Sequence, residues 1–198
     1  MSYSERRKEQ AQKTETAILN AALELMRQDG FESVTVRDIC KHAGITTGAF
    51  YHHFKSKEEL FDKGFTPMDQ FMATMLEKLP EDDPVARLQA IVEHYALFME
   101  NCGILAAQYY QRRLSNPDTA SLDPTHYIHS VLENCFTQAK ERGYTILRDD
   151  PAWTAEFCYG HFRGVVINWL LHKREYSLQE RMREEFRTFE NMFKSIKG

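Results

Sequence analysis

Apolar positions along this chain return every three or four residues, the spacing of one face of a helix, and nowhere alternate convincingly as a strand would. Between Glu9 and Gln28, Ile18, Ala21, Ala22, Leu25 and Met26 share one face and predict an amphipathic helix. Asp29-Gly30 closes it, with Gly30 suited to a left-handed cap. Thr35-Val36-Arg37-Asp38 reads as a capping box, and Val34 and Ile39 sit at the two positions of a hydrophobic staple. The helix it starts turns Val36, Ile39 and Cys40 inward and stops at Ala43-Gly44. Thr46 caps a short helix that runs to about His53. Ser56-Lys57-Glu58-Glu59 is a second box and opens a longer helix, which Pro67 kinks or splits.

Downstream, Asp83-Pro84, Asp123-Pro124 and Asp150-Pro151 each join an Asp N-cap to a proline at the first helical position. Gly103 and Gly143 act as stops, and Ser177-Leu178-Gln179-Glu180 is a third box. Helices are expected over about 84–101, 104–114, 124–142, 151–174 and 178–196. No internal repeat is visible. The expected fold class is all-α.

Composition narrows the picture further. Hydrophobic residues at 42% make the chain too apolar for disorder, and nine Gly with six Pro are too few turns for an all-β fold. The longest apolar run, around Val165-Val166-Ile167, ends at Asn168, far short of the ~20 residues that cross a bilayer. Met1 to Lys13 is charged and lacks the apolar core of an export signal, so a cytoplasmic chain without membrane contact is expected. In that reducing compartment Cys40, Cys102, Cys135 and Cys158, which have no C-x-x-C spacing, are expected to be small buried hydrophobes. Asp149-Asp150 reads as a helix cap and not as an acid/base couple. The histidines have no metal-ligand spacing, and no H-E-x-x-H, phosphate-loop or nucleophile-elbow pattern occurs. Neither an enzyme, a cofactor nor a metal is expected.

Net charge is −4, which argues against a polyanionic partner until its distribution is considered. Residues 1–63 hold ten Lys/Arg and ten Asp/Glu, so the acidic excess lies wholly downstream. The basic groups cluster at Arg6-Arg7-Lys8 and at Lys55 and Lys57, and a local patch neutralises phosphates even on an acidic chain. Between Phe31 and Leu60, two short helices flank His42-Ala43-Gly44-Ile45 in a helix-turn-helix arrangement, whose second helix enters a major groove. In that second helix Phe50 and Phe54 pack inward, towards Ile39 and Ile45. Thr46, Thr47, Gly48, Tyr51 and His52 fall on the other side. Short hydroxyls, open backbone and two amphipathic rings suit phosphates, thymine methyls and base edges. Lys57 stands at the next helix start, where its ammonium and the helix amides can meet one phosphate.

Val34-Thr35-Val36-Arg37-Asp38-Ile39, then Ala43-Gly44-Ile45, then Gly48-Ala49-Phe50-Tyr51-His52-His53-Phe54-Lys55-Ser56-Lys57-Glu58-Glu59-Leu60 resemble the DNA-binding domain of the TetR family of transcription regulators. The likeness runs from Ile18 to Leu60. It implies a three-helix DNA-binding domain over residues 1–60 and a helical ligand-binding and dimerisation domain over 61–198. It further implies a homodimer formed mainly by the last two helices, and a small-molecule effector that releases the protein from a two-fold symmetric double-stranded operator. By position it implies DNA contacts from Thr35, Arg37, Thr46, Thr47, Gly48, Tyr51, His52 and Lys57. Thr47 is a departure, standing where some members carry a basic residue. Repression and activation are not separated by sequence. A helical ligand-binding or interaction module that makes no use of DNA is the competing reading.

In the last predicted helix Met182, Phe186, Phe189, Phe193 and Ile196 return at spacings of four, three, four and three, a narrow seam of the kind found between paired helices. Phe162, Val165, Val166 and Trp169 precede it, with Gly160 and Gly164 permitting close approach. Such a seam closes within one subunit or between two, and the resemblance points to the second. For the effector, Met68, Phe71, Met72 and Met75 follow the proline, and Tyr95, Phe98, Met99, Tyr109, Tyr110, Trp153 and Phe157 lie on central helices. These types suit an adaptable apolar cavity, with His94, Arg112 and His161 as polar anchors. An apolar or aromatic effector is expected.

Overall fold

The computed structural model describes residues 2–65, 72, 74, 75, 77, 83–115, 126–144 and 149–192. Its described elements are all helical: α1 (Tyr3–Asp29), α2 (Val36–Ala43), α3 (Thr47–His53), α4 (Lys57–Lys63), α5 (Pro84–Cys102), α6 (Ile104–Ser115), α7 (His126–Glu141), α8 (Pro151–Leu171) and α9 (Leu178–Met192). None of them is long and apolar enough to cross a membrane. The chain divides into two compact units, Met1–Pro67 and Met68–Gly198. The expected kink at Pro67, the Asp123-Pro124 cap, and Met68, Phe71 and Phe193 lie outside the described residues.

In the first unit α1 packs against α2 and α4, and α2 against α3. Ile18, Ala22 and Met26 of α1, Ile39 of α2, Phe50 and Phe54 around α3, and Leu60 and Phe61 of α4 are all buried. Leu60 and Phe61 thus carry α4 into this unit. α1 starts six residues before the position its apolar face suggests. The cause is Ser2, whose hydroxyl accepts from the Glu5 amide while Glu5 reaches back to the Ser2 amide. Gly30 stops α1 at φ +85° and ψ 152°, outside the left-handed helical region expected for it. Gly44, at φ +67° and ψ 33°, does occupy that region and turns the chain from α2 towards α3.

The second unit is built on α5, which packs against α7 and α9, while α8 packs against α7 and α9. Asp83 and Asp150 cap α5 and α8 with prolines in their first turns. α8 ends at Leu171 and not near 174, because Lys173 and Arg174 adopt positive φ. There the indole Nε1 of Trp169 donates to the Tyr176 carbonyl. The α9 start is shared between two groups: Ser177 Oγ accepts from the Glu180 amide, and the Glu100 carboxylate accepts from the Leu178 and Gln179 amides. Burial pushes the Cys40 and Cys135 thiols up and that of Cys158 to about 12, so none is a thiolate at neutral pH. Cys102 departs from the expected pattern and is half-buried.

Glu100 caps α9 from another helix, α5. Glu100→Ala strands two backbone donors, so it should lower stability by about 1–2 kcal/mol. In a chain of this size that is roughly 2–8 °C in thermal unfolding followed by circular dichroism. An unchanged midpoint would show that water replaces the carboxylate without loss.

Candidate nucleic-acid interface

α3 is seven residues long, too short to persist alone, and its shape is imposed from its ends and one side. Thr46 Oγ1 accepts from the Ala49 amide at its start, and the Phe54 amide donates to the Phe50 carbonyl at its end. Phe50 and Phe54 are fully buried, with ring centroids 5.7 Å apart. Tyr51, 58% exposed, sets its ring edge-on to Phe50 at 5.3 Å. Thr46, Thr47, Gly48 and His52 are exposed beside it, so the structure brings the α3 residues singled out from sequence onto one open face.

Gly48 is informative because the chain has no use for it. A Cβ built there meets only the Thr46 hydroxyl, at 3.8 Å, and φ is not positive. A glycine inside a helix costs about 1 kcal/mol relative to alanine. No contact among the described residues requires a glycine there, and it leaves the α3 backbone open at that point.

Thr35 and Arg37 are exposed at the start of α2. The Thr35 hydroxyl is engaged locally, accepting from the Asp38 amide and donating to the Asp38 carboxylate. Those bonds from the Thr35 hydroxyl and amide hold the Asp38 carboxyl below the usual carboxylate range. The cap therefore contributes stability above that range and loses it as pH falls through it. The α4 start differs from a simple capping box. Ser56 Oγ accepts from the Glu59 amide, and the Glu59 carboxylate accepts from Lys55, one residue further back than expected. Lys57 is not a free cation. Its Nζ donates to the Phe31 carbonyl at 2.7 Å and the Val34 carbonyl at 2.9 Å, and lies 4.2 Å from the Phe31 ring centre. One of three ammonium hydrogens is left for a phosphate. A role in joining α4 to the loop before α2 was not foreseen; no local sequence pattern encodes a contact across 26 residues.

In the second unit the structure corrects two sets of residues. Phe162, Val166 and Trp169 on α8 and Met182, Phe186 and Phe189 on α9 are buried inside the single chain, and Val165 is half-buried. Phe162, Phe186 and Phe189 line one void of about 10 Å³ with Leu88, Val92, Leu132, Phe136 and Cys158. Among the described residues the seam is covered within the single chain. Conversely Trp153 and Phe157, expected in a ligand cavity, are 40% and 46% exposed and stack face to face at 5.3 Å on the surface of α8. At 100° per residue they share a stripe with Gly160, Gly164 and Leu171, the last 75% exposed. A Cβ at either glycine meets nothing within 4 Å.

Of the remaining cavity candidates, Met72, Met99, Tyr95, Tyr109 and Tyr110 are buried, and Met75, His94, Phe98, Arg112 and His161 are half-buried. The hydroxyls of Tyr95 and Tyr110 bond to each other, and burial raises both pKa values above the ordinary phenol range. Tyr159, which the sequence did not single out, joins them with its ring 6.5 Å from Tyr95. His94 Nδ1 lies 2.6 Å from the Ala90 carbonyl, and His161 pairs with Glu185 at 3.2 Å. A polar groove of about 380 Å³ lies between α8 and α9, lined by Asn168, His172, Tyr176, Ser177, Glu180, Arg181 and Glu184, none of them a predicted pocket residue. Among the described residues no three His, Cys, Asp or Glu side chains converge as metal ligands.

Residues 18–63 match the profile of bacterial regulatory proteins, tetR family. The HTH-type transcriptional regulator AcrR of Shigella flexneri is 25% identical over 89% of this chain and 87% of its own. The HTH-type transcriptional regulator UidR of Escherichia coli is 51% identical over 51 residues, 26% of each chain. The crystal structure of the transcriptional regulator FadR from Bacillus subtilis, in complex with stearoyl-CoA, superposes with a TM-score of 0.75 at 20% identity. It covers 91% of this chain and 98% of that one.

The two carbonyls on Lys57 yield a direct test. Lys57→Met should lower the stability of the first unit by about 1–3 kcal/mol, the scale of losing part-buried hydrogen bonds from a charged donor. Thermal unfolding followed by circular dichroism reads this, and an unshifted transition would return Lys57 to the status of a free surface cation.

Proposed function

The chain belongs to the tetR family of bacterial regulatory proteins, and on that premise we propose that it is a homodimeric repressor that a small apolar effector releases from a two-fold symmetric operator. The observation that carries the reading is the α3 face. Two buried phenylalanines fix the helix, while two hydroxyls, an unneeded glycine and an exposed tyrosine look outward. In a major groove Thr46, Thr47 and His52 donate to phosphates or base edges, Gly48 lets the backbone come close, and Tyr51 lays its ring against sugar or thymine methyl. Thr35 and Arg37 meet the flanking phosphates at the start of α2, and Lys57 adds its remaining donor.

Two copies are required, because successive major grooves are ~34 Å apart along one face of the duplex. The Trp153, Phe157, Gly160, Gly164 and Leu171 stripe of α8 supports a dimer through its outer face, with the glycines allowing two helices to approach closely. The second unit, Met68–Gly198, is the effector-binding and dimerisation part in this reading. Its buried tyrosines and methionines support an apolar effector, as does the stearoyl-CoA bound to the similar FadR. Ligand cavities run to roughly 300–1,000 Å³, whereas the apolar void among the described residues is about 10 Å³. An effector bound at that void parts the helices that line it. It drives release by binding the DNA-incompetent arrangement more tightly, since equal affinity for both shifts nothing.

Selection of bound duplexes from a random pool, followed by footprinting, should yield a two-fold symmetric site whose affinity falls steeply with salt. Tyr51→Ala should weaken binding to that site by about tenfold or more, the scale of one lost base contact. Unaltered gel-shift affinity would remove α3 from the interface. Phe157→Glu should raise the dimer dissociation constant on the order of thirtyfold, as for a central interface aromatic. Sedimentation showing an unweakened dimer would place the interface elsewhere.

A further inference from the structure

The first three turns of α1 stand outside the packed unit. Residues 2–13 are all exposed, Glu15 is the first to reach another helix, through Lys63 of α4, and the first buried side chain is Ile18. From Tyr3 to Lys13 that is about 15 Å of helix in water at 1.5 Å per residue. Such a segment is marginal by itself, yet the sequence builds it deliberately, with the Ser2/Glu5 capping box at its start and the Lys13–Glu9 pair in its third turn.

Its two arginines share a side. At 100° per residue, Tyr3, Arg6, Arg7 and Gln10 fall within roughly 100° of one another, with Lys8 off that side. The neighbouring carboxylates are engaged, Glu5 by the Ser2 amide and Glu9 by Lys13. Among the described residues no carboxylate pairs with Arg6 or Arg7, and Tyr3 beside them is 79% exposed. Two cations near a helix N-terminus oppose the helix dipole. A face with two unpaired guanidinia, an amide and an exposed phenol, held in helical register on nothing, is complementary to a polyanion.

We infer that this basic arm is a second DNA-contacting element, gripping phosphates outside the groove that α3 enters. This rests on the proposed function and extends it. Arg6 and Arg7 each make a charge-assisted contact to a phosphate, Gln10 adds a hydrogen bond, and Tyr3 packs on the sugar face. The contacts carry no sequence information; they lengthen the footprint and steepen the salt dependence.

The test is a salt titration of duplex binding by the full chain, on random-sequence DNA and on the selected site. In Arg6→Ala/Arg7→Ala the slope of log K against log salt should become shallower by about two, at roughly 0.9 per phosphate contact. Affinity at ~0.1 M salt should fall on the order of tenfold. Alanine is the better helix former, so the loss would not come from unravelling the arm. Arg6→Lys/Arg7→Lys keeps the charge and should keep the slope. An unchanged slope in the alanine variant would overturn the inference, as would a loss of dimer by sedimentation with DNA binding intact. If the parent chain itself lacks salt-dependent binding, the regulator reading falls too. A parent that binds a symmetric site as well as its variant does would sink the arm alone.

Discussion

Seven residues of helix do not hold their shape in water, and α3 is no longer than that. Its polar side is useful only because Phe50 and Phe54 are sunk into the core formed by α1, α2 and α4. Each buried phenylalanine contributes about 1.5–3 kcal/mol, ample to order a helix that the threonine, glycine and histidine content of α3 disfavours. The outward side chains inherit that rigidity. Tyr51 is held edge-on by Phe50, and Thr46 is held by the amide it caps. The two faces of α3 are thus one device, with anchoring inside and presentation outside.

Lys57 belongs to the same device, though not in the manner its place in the chain implies. By bonding the Phe31 and Val34 carbonyls it ties the start of α4 to the loop that precedes α2. Both bonds are part-buried, where losing a hydrogen-bond partner costs more than in water. A cation beside the exposed face of α3 therefore acts first on the geometry of its own unit.

In the second unit the decisive constraint is that α8 has two apolar sides. One, through Phe162, Val166 and Trp169, is covered by the same chain. The opposite one, through Trp153, Phe157 and Leu171, is open to water. A helix lies on a single-chain core with one stripe, and this one carries a second, exposed aromatic stripe with two glycines along it. That stripe lies on a different side of α8 from the buried Tyr159, whose ring approaches Tyr95 of α5.

Local pattern was enough for the helical class, most helix starts and the α3 face, because capping boxes, Asp-Pro pairs and apolar periodicity act over three or four residues. Ser2 and Glu5 formed a box of the same kind, legible but hidden by the lack of any apolar face behind it. What sequence alone left undecided was which apolar stripe of α8 and α9 faces inward. Phe162 and Phe157 are equally hydrophobic, and only the partners supplied by α5 and α7 determine which is covered. The Glu100 cap on α9 and the Lys57 bridge were likewise invisible, since each joins groups 23 or more residues apart. Periodicity states that a side is apolar; the tertiary packing decides what it meets.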